Sequence, residues 1–232
     1  MKLNKVLTIN GQARKLLADK VRLNARSPGA ARFEMVADDI GLALNQLVTL
    51  DVGYSLQTAT QRFFIGLVTD IDTEATGKVI VFCRELSWVL HRPLPLNLRH
   101  VTLADVLMAI EERTGLTFSV PDVAYAKRKV AKFFNVGSGY QALDALGEVF
   151  GIADYVWQQQ AGKVFVGSWA DSRWSGQGNF VIPDAVFRGK RTKGVAEIAA
   201  LPQLRPGQLV NGQRLTNVTL QKSYMELEWI SN

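Results

Sequence analysis

One cysteine, Cys83, and two histidines, His91 and His100, are all the thiol and imidazole side chains that 232 residues provide. A single cysteine excludes an intrachain disulfide and a cysteine-based zinc site. Its place in the apolar run VIVFCREL reads as a buried, inert thiol. The histidines flank a proline-rich stretch, and neither has a partner at metal-ligand spacing. No run approaches the roughly 20 apolar residues of a membrane span. The N-terminal MKLNKVLTINGQ lacks the apolar region of a secretory signal, so synthesis in the cytoplasm is the expectation. HExxH and GxSxG are absent, and the adjacent carboxylates Asp38–Asp39 and Glu111–Glu112 do not face one another as paired hydrolytic carboxylates must. No catalytic residue, cofactor or metal is therefore expected.

What is present is a globular composition, 47% hydrophobic and 21% charged, with a formal net charge of +6. A basic balance raises a nucleic-acid reading. The charge is scattered, however, and gathers in two places only: Lys127, Arg128 and Lys129, and Arg188, Lys190, Arg191 and Lys193 within FRGKRTKG. Both read as solvated loops. The second has the glycines of a mobile loop suited to an acidic partner surface or to passing DNA.

The block Val101–Gly167 carries two amphipathic helices. Thr102 caps the first, and Asp105 puts negative charge at its positive end. Leu103, Val106, Leu107 and Ile110 recur at i, i+3, i+4 and i+7, and Gly115 supplies a left-handed stop. In the second, Ser138 and Gln141 form a capping box, Leu143, Leu146, Val149 and Phe150 make the stripe, and Gly151 ends it. Strand-like runs follow at Leu116–Val120, Ala131–Val136, Ala153–Gln158 and Lys163–Gly167, with Gln159–Gly162 as a turn and Pro121–Val130 as an exposed connection.

On either side the sequence reads as β. Lys5–Ile9, Lys20–Ala25, Ala31–Val36 and Leu47–Val52 are strands, the last bending near Asp51–Gly53. Arg62–Ile71 and Lys78–Leu86 form a hairpin across the polar loop Asp72–Gly77, whose Asp72 and Glu74 are candidate contact residues. Short strands in succession predict a small closed or nearly closed barrel. Leu90–Arg99, with Pro93 and Pro95, is a link that excludes a central strand. A second link, Ser168–Gly178, holds Trp169 and Trp174, which are expected to pack rather than to stack on a ligand. Phe180–Ile182, Val195–Ala199, Gln208–Val210, Arg214–Gln221 and Tyr224–Ile230 complete the strands. This last part is short for a core of its own and is expected to draw on neighbouring chains. The predicted fold class is mainly β with an inserted α+β domain: two small β-barrel domains, 1–98 and, with its linker, 171–232, flank an α+β unit at 99–170.

This order of parts resembles the tail-hub, or baseplate-hub, proteins of tailed bacteriophages and related contractile injection machines. The resemblance is carried by SPGAARFEM (Ser27–Met35), FFIGLVTDID with KVIVFCREL, TLADVLMAIEERTGL, YQALDALGEVFGIADYVWQQQAGKVFVG, and LPQLRPGQLVNGQRLTNVTLQKSYMELEW (Leu201–Trp229). It implies a structural virion protein of the tail: a homotrimer whose six barrels make a pseudo-sixfold ring joining the tail tube to the tip. The implied partners are the protein itself, a tail-tube or distal tail protein, a tail-tip or spike protein, and DNA that passes through the lumen without specific binding. On that reading Asp72, Glu74, Lys127, Arg128, Lys129, Arg188, Lys190, Arg191 and Lys193 are candidate assembly contacts. A sequence-nonspecific DNA-binding module is one alternative. The central block alone also resembles the small modules that precede secretin channels, which would make it a periplasmic module.

Overall fold

The computed structural model describes residues 2–26, 28–37, 41–54, 60–74, 77–192 and 194–229. From the N-terminus come β1 (Leu3–Ile9), β2 (Gln12–Arg14), β3 (Leu16–Asn24), β4 (Ala30–Val36), β5 (Leu47–Tyr54), β6 (Gln61–Glu74) and β7 (Lys78–Glu85). A 3-10 turn at Leu86–His91 leads to β8 (Leu96–Val101), α1 (Leu103–Thr114), β9 (Phe118–Ser119), α2 (Ala124–Lys127), β10 (Val130–Asn135) and α3 (Gly139–Val149). Then follow β11 (Tyr155–Gln160), β12 (Lys163–Ser168), β13 (Asn179–Phe180), β14 (Arg188–Thr192), β15 (Val195–Ala199), β16 (Leu209–Val210), β17 (Gln213–Gln221) and β18 (Tyr224–Trp229). The fold is mainly β with an inserted α+β portion, as the patterning predicts.

The chain divides into two compact units, Met1–Glu85 with Asn179–Asn232, and Leu86–Gly178. In the first unit a single sheet follows the path β14-β15-β18-β17-β3-β4-β7-β6-β5-β1-β2, with β16 and β13 added beside β17. The joint between the early and late strands is the antiparallel pair β17–β3, in which Val218 lies opposite Leu23 and Leu220 opposite Val21. All four side chains are buried, in one core with Leu7, Ile9, Phe33, Phe64, Ile198, Leu215 and Met225. The late strands, expected to draw on neighbouring chains, thus find a partner in β3 of their own chain. Period-2 patterning marks which face is inward but not which distant strand supplies the ladder.

Among the described residues no ladder joins the two ends of the path, so no closed barrel is seen. Within the early group, β1 and β3 meet instead through a side-chain pair, Lys5 Nζ donating to Asp19 Oδ2 at 2.5 Å. The bend expected near Asp51–Gly53 is a register shift between Leu50 and Asp51 in the β5–β6 ladder. The β6–β7 ladder continues to Glu74 opposite Lys78. Asp72 and Glu74 are consequently strand residues, a correction to the loop expected at Asp72–Gly77. The β-branched residues Ile71, Thr73 and Val79 favour extension of the ladder beyond the aromatic and aliphatic core.

The second unit has its own core. The inward residues Leu96 and Phe133 of the two-stranded ribbon β8–β10 share it with Leu103, Val106, Leu107 and Ile110 of α1 and with Leu143 and Leu146 of α3. Both helices start on complete capping boxes, Thr102 with Asp105 and Ser138 with Gln141, and α1 stops at Gly115 with φ 71°. β11, β12 and β9 form a separate small sheet. Pro93 and Pro95 precede β8 rather than interrupt it, so the stretch expected as a link becomes a strand from Leu96 onward. The exposed connection expected over Pro121–Val130 contains the short helix α2. Trp169 and Trp174 are buried, and Trp174 Nε1 donates to Gln158 Oε1 at 2.9 Å. They pack within this unit, in line with the structural role expected of them.

Candidate assembly surfaces

The candidate contact residues divide between the units. Lys127 pairs with Asp122 at 2.6 Å, with both side chains well exposed, an arrangement worth little in water. Arg128 donates to the carbonyl of Val149 at 2.9 Å and so satisfies the C-terminal end of α3. Lys129 lies close enough to Asp105 to favour its charge, behind the larger effect of the Thr102 hydrogen bonds, which hold that carboxyl below its usual range. These three consecutive bases are engaged in three different ways and do not make one phosphate-reading cluster.

In the other unit, Asp72 is an exposed residue of β6, and Glu74 lies in the same strand. Arg188, Lys190 and Arg191 belong to β14, a strand paired with β15 and not the loop expected from its glycines; Lys193 lies outside the described residues. The reason is visible at Arg188. Its guanidinium reaches Glu197 at 3.2 Å and lies 3.8 Å from the Tyr224 ring centre, while Gly194 at φ 77° makes the return turn. β6 and β14 are far apart along the sheet path. No ladder pairs β6 with β14 among the described residues.

The pair Glu111–Glu112 does not assemble a catalytic geometry. Glu111 Oε1 accepts the Phe118 N–H at 2.7 Å, Glu112 points to solvent, and Asp38–Asp39 lie outside the described residues. Among the described residues there is no group of three or more His, Cys, Asp or Glu placed to hold a metal, and no helix long and apolar enough to cross a membrane. His91 stacks on Trp88 at 3.9 Å and bonds its carbonyl through Nδ1 at 2.7 Å. Burial pushes the Cys83 thiol up to about 12.

Sequence reasoning missed several polar groups buried or bonded within the β unit. Glu85 is buried at the end of β7, where Oε2 accepts the Gly29 N–H at 2.6 Å; burial pushes its carboxyl up to about 7, against the opposing effects of that bond and of Arg205. Arg205 in turn donates to the carbonyls of Pro202, Leu204 and Arg62 and covers the Phe63 ring. Tyr54 Oη donates to Ala200 O at 2.5 Å. Arg205 and Tyr54 link early elements to late ones, whereas Glu85 bonds the residue just before β4. The only signal available was a charge closing an otherwise apolar strand, as Glu85 does in VIVFCREL.

No family model matches the chain. Its fold matches the 43 kDa tail protein of prophage MuSo2 from Shewanella oneidensis with TM-score 0.68 at 10% identity, over 97% of this chain and 96% of that one. A tail protein from Neisseria meningitidis matches with TM-score 0.67 at 9% identity, over 99% and 96%. An Escherichia coli component of the type VI secretion system, itself described as similar to the T4 tail proteins gp27 and gp5, matches with TM-score 0.62 at 13% identity, over 97% and 76%. In sequence the chain is 32% identical over 225 residues to an uncharacterised 58.7 kDa protein of Haemophilus phage HP1. That alignment takes in 95% of this chain and 40% of the phage protein.

Proposed function

We propose that the chain is a structural component of a phage tail tip or baseplate, a homotrimeric, pseudo-sixfold hub ring that joins tail tube to tip around a channel for DNA. The observation that carries this reading is the β17–β3 joint, which makes one sheet of two β stretches separated by an inserted unit, in a chain of which 97% matches the fold of a prophage tail protein. In this reading the stretches 1–98 and 171–232 supply the two barrel-like halves, and 99–170 is the α+β portion that separates them in sequence. The protein works through surfaces rather than through a catalytic site, its neighbours are a tail-tube or distal tail protein and a tip or spike protein, and it resides in the virion. The dispersed engagement of the basic residues favours this over the DNA-binding module. A protein that grips nucleic acid needs several cations free to displace counterions along one track.

The test is the mass of the purified chain by light scattering across a concentration series, with negative-stain images of the same sample. A trimer imaged as a six-lobed ring with a pore is expected. A chain that stays monomeric and binds DNA with a steep dependence on salt overturns the hub and replaces it with the DNA module.

A further inference from the structure

Two faces of the α+β unit are exposed, chemically opposite and similarly built. The first is the outer face of the β8–β10 ribbon. In its register Asn97 lies opposite Phe134 and Arg99 opposite Lys132, and all four are exposed, while the alternate residues Leu96, Phe133 and Asn135 are buried. Phe134 is 58% exposed and Val136, just past the strand, 72%. Lys132 Nζ sits 4.9 Å from the Phe134 ring centre. Neither strand contains an acidic residue. The second is the outer face of α1. With Leu103, Val106, Leu107 and Ile110 committed to the core, Ala104, Asp105, Met108 and Glu112 face solvent, and Met108 is 56% exposed. One face is an apolar centre with bases beside it; the other is an apolar centre beside Glu112 and Asp105, the latter also near Lys129.

We propose that these are the two halves of one contact between copies of this chain: the ribbon of one copy seats on α1 of the next, with Phe134 and Val136 against Met108, and Arg99 and Lys132 against Asp105 and Glu112. The inference rests on the trimeric reading above and names the surfaces that would make it. Burying the three exposed apolar side chains supplies the driving force, and the opposed charges set partner and register. Each copy carries one face of each kind on different elements, so the contact is heterologous, and successive contacts run head to tail until the ring closes. Nucleic acid fits the ribbon less well. Two bases neutralise few phosphates, and a nucleic acid gives no role to Met108 and its flanking acids.

The test uses the full chain. Phe134→Cys and Met108→Cys variants, mixed under denaturant, refolded together and oxidised, are expected to give a disulfide-linked heterodimer that neither variant gives alone. The chains are kept reduced until refolded, after which Cys83 is buried and stays out of the oxidation. Independently, Lys132→Glu and Glu112→Lys are each expected to weaken self-association by about tenfold or more, and the two together to restore it. A trimer by light scattering with no mixed crosslink and no response to charge reversal overturns this contact and leaves the trimer standing. A chain monomeric at every concentration overturns the trimer and this contact with it. Unchanged mass together with loss of single-stranded DNA binding in Lys132→Glu assigns the ribbon to nucleic acid and overturns the contact.

Discussion

Glu85 and the pair Lys5–Asp19 are the charges whose surroundings most alter their chemistry. Glu85 titrates near 7 in the folded chain, against an ordinary value of 4.5, because burial disfavours its charged form more than the Gly29 N–H and Arg205 favour it. Between those two values the folded state binds a proton that the unfolded state has released, so stability falls as pH rises from about 4.5 to about 7 and levels off above. The full swing is on the order of 3 kcal/mol. Glu85→Gln retains an acceptor for Gly29 and removes the charge. The variant is expected to gain thermal stability over the parent at pH 8 and to match it near pH 4.5; equal gains at both pH values would sink the account. Lys5 and Asp19 are 10% and 6% exposed. Burial lowers the first pKa and raises the second, and the ion pair partly offsets both shifts. Lys5→Met alone leaves a buried carboxylate and is expected to cost about 3–5 kcal/mol in urea unfolding, whereas Lys5→Met with Asp19→Leu recovers most of the loss. None of this was legible in the sequence. Lys5 and Asp19 look like surface residues on alternating strands until β1 and β3 are brought side by side.

At the scale of elements, what was legible is what is local. Both helices begin at the residues that capping chemistry names, because a Thr or Ser oxygen and a side chain three residues on can satisfy free N–H groups without help from the rest of the fold. Ser138→Ala and Thr102→Ala are each expected to destabilise the chain by about 1 kcal/mol in urea unfolding. A loss below a few tenths in either would show that the cap is replaced by solvent. The hairpin β6–β7 was legible for the same reason. The strand β14 was not: FRGKRTKG has the composition of a loop, and it is held extended by its ladder with β15 and by Arg188 against Glu197 and Tyr224, partners that lie outside the segment. The candidate contact residues fared likewise. Basic runs mark solvent exposure, but whether each base is free, ion-paired or capping a carbonyl, as Arg128 does at Val149, is decided by tertiary neighbours.

For the whole molecule, the two units make different demands on chain continuity. Leu86–Gly178 is contiguous, and its core draws on Leu90, Leu96, Leu103, Phe133, Leu143 and Phe150, all within that stretch. The β unit is discontinuous, and its sheet depends on β3 accepting β17 from almost two hundred residues away. Excised as a fragment, Leu86–Gly178 is therefore expected to fold alone and to unfold cooperatively by circular dichroism. Met1–Glu85 without Asn179–Asn232 is expected to fail, because Val21 and Leu23 then line a bare apolar edge and the shared core loses Ile198, Leu215, Val218, Leu220 and Met225. Adding the excised segment Asn179–Asn232 in trans would supply β17 again, so recovery of structure on mixing is the expected result. A soluble, cooperatively folded Met1–Glu85 with no response to that segment would show that the early strands complete a core without the joint. The β17–β3 ladder would then be an attachment between two self-sufficient halves rather than the seam on which the β unit folds.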